Sequence, residues 1–190
     1  QGLGSGVTGI TISSGSGGSP ITISSTSLSS YGDVLAKISG GAITYDVTGV
    51  LASDAGALIS NRTIATVEIS DTAAHIASKF DALQTALNSR SISAPSLSFV
   101  VAVTDSNPVA LTASQLASDS GLLTALVGTG ITYSVSGMTV ASALVVPTGS
   151  LSSQIAQLTV SDTAAHIASN LNSLNSLSSS LLGTITVSDS

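Results

Sequence analysis

Short runs of alternating apolar and polar residues recur along the chain, and each is followed by apolar residues at helical spacing. The run Thr66–Ile69 alternates with a period of two, as a half-buried strand does. A stripe at i, i+4, i+7 and i+11 comes soon after it, made of Ile76, Phe80, Leu83 and Leu87. Alternating strands and helices favour parallel strands joined by right-handed crossovers. The pattern therefore predicts an α/β fold.

The same order of a β-type run, a small polar residue and an alanine- and leucine-rich run occurs in three segments of the first half. They are Ile21–Ile38, Ile43–Ser60 and Thr63–Leu87. In the second half, Leu171, Leu174 and Leu177 continue a helical stripe that begins at Ile167. We also expect a short hairpin-like pairing of residues 10–12 with residues 21–23, because the glycine-rich stretch between them favours a turn.

The chain contains an internal duplication. The sequence SDTAAHIAS occurs at Ser70–Ser78 and again at Ser161–Ser169, an offset of 91 residues. Ile21–Ile38 matches Val109–Leu126 at an offset of 88, and ITYDVTGV from Ile43 matches ITYSVSGM at the same offset. Two units of about 90 residues follow, which predicts a solenoid-like repeat array of βα steps with parallel strands.

The repeats divide the chain into four segments. Residues 1–8 form a glycine-rich N-terminal segment, 9–95 the first repeat unit and 96–182 the second. Residues 183–190 form a C-terminal strand that begins a third, incomplete unit, because Thr184–Asp189 resembles Gly9–Ser14. The chain is thus predicted to start and end on the same type of strand.

Composition narrows the function classes. Hydrophobic residues make up 43% of the chain, charged residues 7% and aromatic residues 3%, so the core is predicted to consist of alanine, valine, isoleucine and leucine. No lysine or arginine follows Arg90, which excludes binding to nucleic-acid phosphates as the main activity and disfavours anionic lipid surfaces. No apolar stretch approaches the roughly 20 residues of a membrane span, so membrane insertion is not expected.

The repeated motif resembles a known group of repeats. The pattern VSDTAAxIAxxLxxL, with LTAxQ downstream, matches Ser70–Leu87, Ser161–Leu177 and Leu111–Leu126. It is similar to a repeat of very large secreted bacterial surface proteins of adhesin and S-layer-like type. The resemblance implies a secreted protein of the cell surface or extracellular matrix with a structural or adhesive role. The calcium-binding GGxGxD repeats that many such proteins carry do not occur in this sequence, so calcium dependence is not implied.

Acidic and histidine residues occupy equivalent positions in the two units. We predict that Asp71 and Asp162 cap the helices that follow them, and that His75 and His166 lie on the helix surface. Carboxylates after neighbouring strands are also weak calcium candidates, namely Asp71, Asp105, Asp162 and Asp189. Cysteine is absent, and so are the GxSxG, CxxCH and HExxH motifs. The sequence therefore predicts no enzyme, no resident metal and no cofactor.

Two functions remain. The first is an extracellular structural subunit that assembles head to tail with other copies of itself into a fibre, sheath or surface layer, since a parallel array has complementary ends. The strands predicted to mediate this contact contain Val7, Ile10, Ile12, Ile185 and Val187. The alternative is an adhesin segment that binds a glycan or a cell surface.

Overall fold

A computed structural model describes residues 10–11, 20–39, 43–90, 97–126, 129–146 and 151–189 of the chain. The chain divides into two compact units. One takes in residues 1–70 and 86–102, and the other residues 71–85 and 103–190. The predicted segment 1–8 lies outside the described residues.

Strands and helices alternate in the first half of the chain. The strands are β1 (Ile10–Thr11), β2 (Ile21–Ser24), β3 (Ile38–Ser39), β4 (Tyr45–Val50), β5 (Ile64–Asp71) and β6 (Ser98–Val103). The helices are α1 (Ser25–Ser30), α2 (Gly32–Leu35), α3 (Ala52–Ser60) and α4 (Ala73–Arg90).

The second half repeats this order. Its strands are β7 (Val109–Thr112), β8 (Tyr133–Met138), β9 (Ile155–Asp162) and β10 (Leu182–Val187). Its helices are α5 (Ala113–Ser118), α6 (Ser120–Ala125), α7 (Val140–Val145), α8 (Ala164–Ser169) and α9 (Leu171–Ser176), with a 3-10 turn at Ser152–Gln154 before β9.

Two four-stranded parallel sheets organise these elements, in the orders β2-β4-β5-β6 and β7-β8-β9-β10. Neighbouring parallel strands are joined by crossovers, which the helices between the strands supply. The predicted α/β fold with parallel strands in two repeated units is therefore confirmed. The solenoid-like arrangement stays a prediction.

The two sheets share one register. Ile21 pairs with Tyr45 in the first sheet, and the residues 88 positions later, Val109 and Tyr133, pair in the second. Tyr45 opposite Ile64 corresponds to Tyr133 opposite Ile155, at offsets of 88 and 91 residues. The duplication thus extends to individual residue pairs.

The buried residues match the predicted periodicity. Val47, Val67 and Ile69 are fully buried on alternate positions of β4 and β5, as are Val135 and Leu158 on the equivalent strands. The predicted stripe of α4 is also buried at Ile76, Phe80 and Leu83, whereas Leu87 is half-buried. Aliphatic side chains fill most of the core, because the chain has few aromatic residues.

Two local expectations are wrong. β1 pairs with β3 and β2 pairs with β4, both in parallel, so the described residues of 10–12 do not form a hairpin with 21–23. The helix after β9 is not continuous either, because it breaks at Asn170 between α8 and α9. There the Asn170 amide donates hydrogen bonds to the carbonyl of His166 and the hydroxyl of Ser169. Such side-chain bonds to the local backbone compete with helix continuation.

Candidate functional site

A cluster of hydrogen-bonded polar groups lies where β9 meets α8. The Asp162 carboxylate is 9% exposed and accepts three hydrogen bonds. Its Oδ1 accepts from the backbone N–H of Thr163 and from Nδ1 of His166, each at 2.8 Å, and its Oδ2 accepts from the N–H of Val140 at 2.9 Å. A carboxylate can only accept, so Nδ1 of His166 carries a proton. The imidazole itself is 68% exposed.

The first repeat carries the same pair. Oδ1 of Asp71 accepts from the N–H of Thr72 and from Nδ1 of His75, both at 2.8 Å, and the His75 ring is 71% exposed. His75 and His166 therefore lie on the helix surface, as their position beside the apolar stripe predicts. The buried carboxylate fixes the orientation of each ring.

The N-cap position lies one residue later than the sequence predicts. Thr163 is the N-cap of α8, and its hydroxyl accepts from the N–H of His166. Thr72 makes the equivalent bond to His75. Asp162 instead precedes the cap and bridges two helices, because its Oδ2 holds the first N–H of α7. This bond from Val140, followed by the bond from His166, holds the pKa of Asp162 below its usual range.

The other two predicted aspartates also serve helix N-termini. Oδ1 of Asp105 accepts from the N–H of Ala73 at 2.8 Å, and its Oδ2 accepts from the Asn107 amide at 2.9 Å. These bonds, the first one above all, lower the pKa of Asp105. Oδ1 of Asp189 accepts from the N–H of Ala164 at 2.7 Å.

A common rule connects three of these contacts. Asp105, Asp162 and Asp189 each end or follow a strand, and each accepts from the first N–H of the helix that begins the connection into that strand, namely α4, α7 and α8. The first N–H groups of a helix lack intrahelical acceptors, so this bond satisfies one of them. Within the described ranges, no three acidic, histidine or cysteine side chains come together to hold a metal ion. The geometry thus gives these carboxylates a capping role.

Among the strands of the two four-stranded sheets, β10 has the largest share of exposed residues. It lies at one edge of its sheet, paired in parallel with β9. Ile185 is 37% and Val187 is 53% exposed. The strand LGTITV contains neither a charged residue nor proline, which are the usual means of protecting an edge strand.

The position equivalent to β10 in the first repeat is β6. The N–H of Thr104 after β6 bonds to the carbonyl of Asp71, and the N–H of Ser188 after β10 bonds to that of Asp162, both at 2.9 Å. By this equivalence Ile185 corresponds to Val101, which is only 4% exposed. Both strands lie at an edge of their own sheet, yet the equivalent side chain is buried on β6 and partly exposed on β10.

The remaining predicted assembly residues lie at the other terminus. Ile10 is part of β1 and stands opposite Ile38 of β3, whereas Val7 and Ile12 fall outside the described residues.

An apolar groove of about 550 Å³ lies along α5 and α7 of the second unit. The hydrophobic periodicity of the sequence did not predict this groove. Its lining includes Ala113, Ala117, Ala141 and Ser142. The residues 88 positions earlier are more polar, namely Ser25, Ser29, Ser53 and Asp54. The apolar character of these positions is thus particular to the second repeat, and it emerges only when the two repeats are compared position by position.

None of the helices in the described parts of the chain is both long and apolar enough to span a membrane. Comparisons with protein-family models, with curated proteins and with solved structures found no match.

Proposed function

We propose that this protein is an extracellular structural subunit that assembles head to tail with other copies through its terminal strands. The observation that carries the proposal is the exposed edge of β10. Ile185 is 37% exposed there, whereas its equivalent Val101 in β6 is 4% exposed. β10 pairs with one strand only, β9, among the described residues, so its other edge can accept a strand from a second copy of the chain.

The partner strand is suggested by the internal similarity. Thr184–Asp189 resembles Gly9–Ser14, which contains β1, and β1 pairs in parallel with β3. In the proposed contact, β10 of one copy therefore pairs with β3 of another copy, in the position that β1 has within a single chain. A contact between two unlike ends propagates instead of closing, which leads to a filament.

The expected strength of this contact is modest. Full burial of a valine or isoleucine side chain contributes about 1.5–3 kcal/mol, and here both side chains are already partly covered. Association costs at least about 4 kcal/mol in lost translational and rotational freedom. Strand addition must therefore draw on backbone hydrogen bonds as well, and we expect assembly to depend steeply on concentration.

The extracellular location rests on the sequence. A low content of charge, the absence of cysteine and the resemblance of the SDTAAHIAS repeats to those of secreted surface proteins support it. A low surface charge favours association between protein molecules.

Replacement of the exposed edge residues tests the proposal. We expect the wild-type chain to form filaments at high concentration, seen by electron microscopy and by sedimentation. The double variant Ile185→Asp/Val187→Asp should stay monomeric, because it places two charges on the strand that pairs with the next copy. Leu171→Asp is the matched control, since Leu171 is 55% exposed but lies on α9.

The control should assemble as the wild type does, and circular dichroism should show the same fold in all three proteins. A wild-type chain that stays monomeric at its highest soluble concentration would contradict the proposal. So would a double variant that still forms the same filaments.

A further inference from the structure

A buried arginine anchors the turn between α3 and β5. Arg90, the last residue of α4, is 7% exposed. Its Nη1 donates to the carbonyls of Ile59 and Asn61 at 2.8 and 2.7 Å, and its Nη2 donates to the carbonyl of Ile64 at 2.5 Å. The guanidinium therefore satisfies three carbonyls that surround the end of α3.

One donor of this side chain has no partner. The Nε atom of Arg90 is buried without a hydrogen-bond acceptor among the described residues. Burial also lowers the pKa of the guanidinium. A buried donor that lacks an acceptor typically costs about 1–3 kcal/mol, and more when the group is charged. The described residues therefore leave the guanidinium incompletely satisfied.

A small polar cavity lies beside this arginine. It has a volume of about 110 Å³ and is lined by Ser60, Arg62, Ser89 and Arg90. Arg62 is exposed, and Arg62 and Arg90 are the two arginines of the whole sequence. The Ser60 hydroxyl donates its hydrogen to the carbonyl of Gly56. The cationic donors of the cavity are the two guanidinium groups. A water molecule takes up about 30 Å³, so there is room for one small polyatomic ion.

The repeat architecture does not account for this pair of cations. At the 91-residue offset, the position equivalent to Arg90 is Leu181, and no arginine or lysine occurs anywhere in the second half. The cavity residues thus belong to the first repeat alone, in a chain whose net charge is −6.

We propose that this cavity binds one small oxyanion group, a carboxylate, sulfate or phosphate, between Arg62 and Arg90. Guanidinium N–H groups and oxyanions form short charge-assisted hydrogen bonds. Among the described residues that line the cavity, no acidic side chain competes for the two arginines. Because three carbonyls already offset part of the Arg90 charge, binding should be weak for a free ion and stronger for an oxyanion carried on a larger ligand. This site goes beyond the proposed assembly, since it lies on none of the terminal strands.

The two arginines provide a direct test. In the full chain labelled with ¹⁵N, only two arginine Nε–H signals arise, and Arg62→Gln removes one and so assigns the other to Arg90. Sodium acetate, sulfate and phosphate are each titrated against sodium chloride at equal ionic strength. We expect the Arg90 Nε–H signal to shift saturably with at least one oxyanion and not with chloride, and the anion that saturates first identifies the group preferred.

Arg62→Gln should weaken that binding at least tenfold. Lys79→Gln removes the same charge from an exposed position on α4 and should bind as the wild type does. The proposal would be overturned by shifts that are linear and equal to those with chloride, which would mean that only water fills the cavity. Equal binding by Arg62→Gln and the wild type would overturn it as well.

Discussion

Single aspartates connect successive steps of this fold. Asp162 holds the N–H of Val140, the N–H of Thr163 and the imidazole of His166, and it needs a charged carboxylate to accept all three well. Asp105 and Asp189 reach back in the same way to Ala73 and Ala164. Each residue is small and polar, yet it determines where a distant helix begins.

The lowered pKa of Asp162 predicts how stability depends on pH. Because the folded protein favours the ionised carboxylate, the group stabilises the fold above its ordinary pKa of 3.8 and loses that contribution as the pH falls further, through the folded-state pKa. We expect the urea concentration at the unfolding midpoint of the wild type to decrease once the pH is lowered below about 4. In Asp162→Asn the midpoint should be lower at neutral pH, since one amide oxygen cannot replace two carboxylate oxygens.

The difference between Asp162→Asn and the wild type should therefore shrink as the pH drops towards 2.5. Asp33→Asn, which changes an exposed carboxylate on α2, serves as the control and should follow the wild-type curve. A constant difference between Asp162→Asn and the wild type at all pH values would show that the charge of Asp162 is not involved.

At the scale of elements, the two repeats share an irregularity within a strand. The pairing of β4 with β5 shifts register between Val47 and Val50, and that of β8 with β9 shifts between Val135 and Met138. Gly49 and Gly137 lie in these shifts with φ of 65° and 71°. Only glycine adopts this conformation readily, so the two strands keep a glycine at the same point.

Opposite effects are expected from alanine at two glycines. Gly137→Ala should lower the free energy of unfolding by about 1–2 kcal/mol, through backbone strain alone, because an added Cβ meets no atom within 4 Å. Gly56→Ala lies inside α3 with equally open space and should raise that free energy by about 1 kcal/mol. Urea unfolding of both variants measures the difference. A neutral Gly137→Ala would contradict the strained conformation.

Sequence patterns predicted most elements but not their boundaries in detail. The SDTAAHIAS copies are identical, yet α4 runs unbroken through Lys79 while the second copy breaks at the equivalent Asn170. The stripe of leucines after Ile167 favours one continuous helix. The hydrogen bonds of the Asn170 side chain outweigh that preference, and a hydrophobic pattern carries no information about them.

For the whole molecule, the uneven distribution of basic residues has a direct consequence for proteolysis. Trypsin needs lysine or arginine, and none follows Arg90. Digestion of the unfolded chain should therefore leave residues 91–190 as one fragment, which mass spectrometry identifies. In the native protein we expect slow cleavage after Arg90, because its side chain is buried and bonded to three carbonyls. Rapid native cleavage there would mean that the anchor opens readily.

The sequence by itself determined the alternation of strands and helices, the parallel class and the duplication at offsets of 88 and 91 residues. These features follow from the hydrophobic periodicity and the repeated motifs, which can be read from short segments of the sequence and occur in both repeats. The tertiary structure decided which helix each aspartate caps, which carbonyls Arg90 binds and how β10 differs in exposure from β6. These contacts join atoms that lie 20 or more residues apart, such as Val140 with Asp162 and Ile59 with Arg90. Many serines, threonines and aspartates in this chain could serve as partners, and only the folded backbone selects among them.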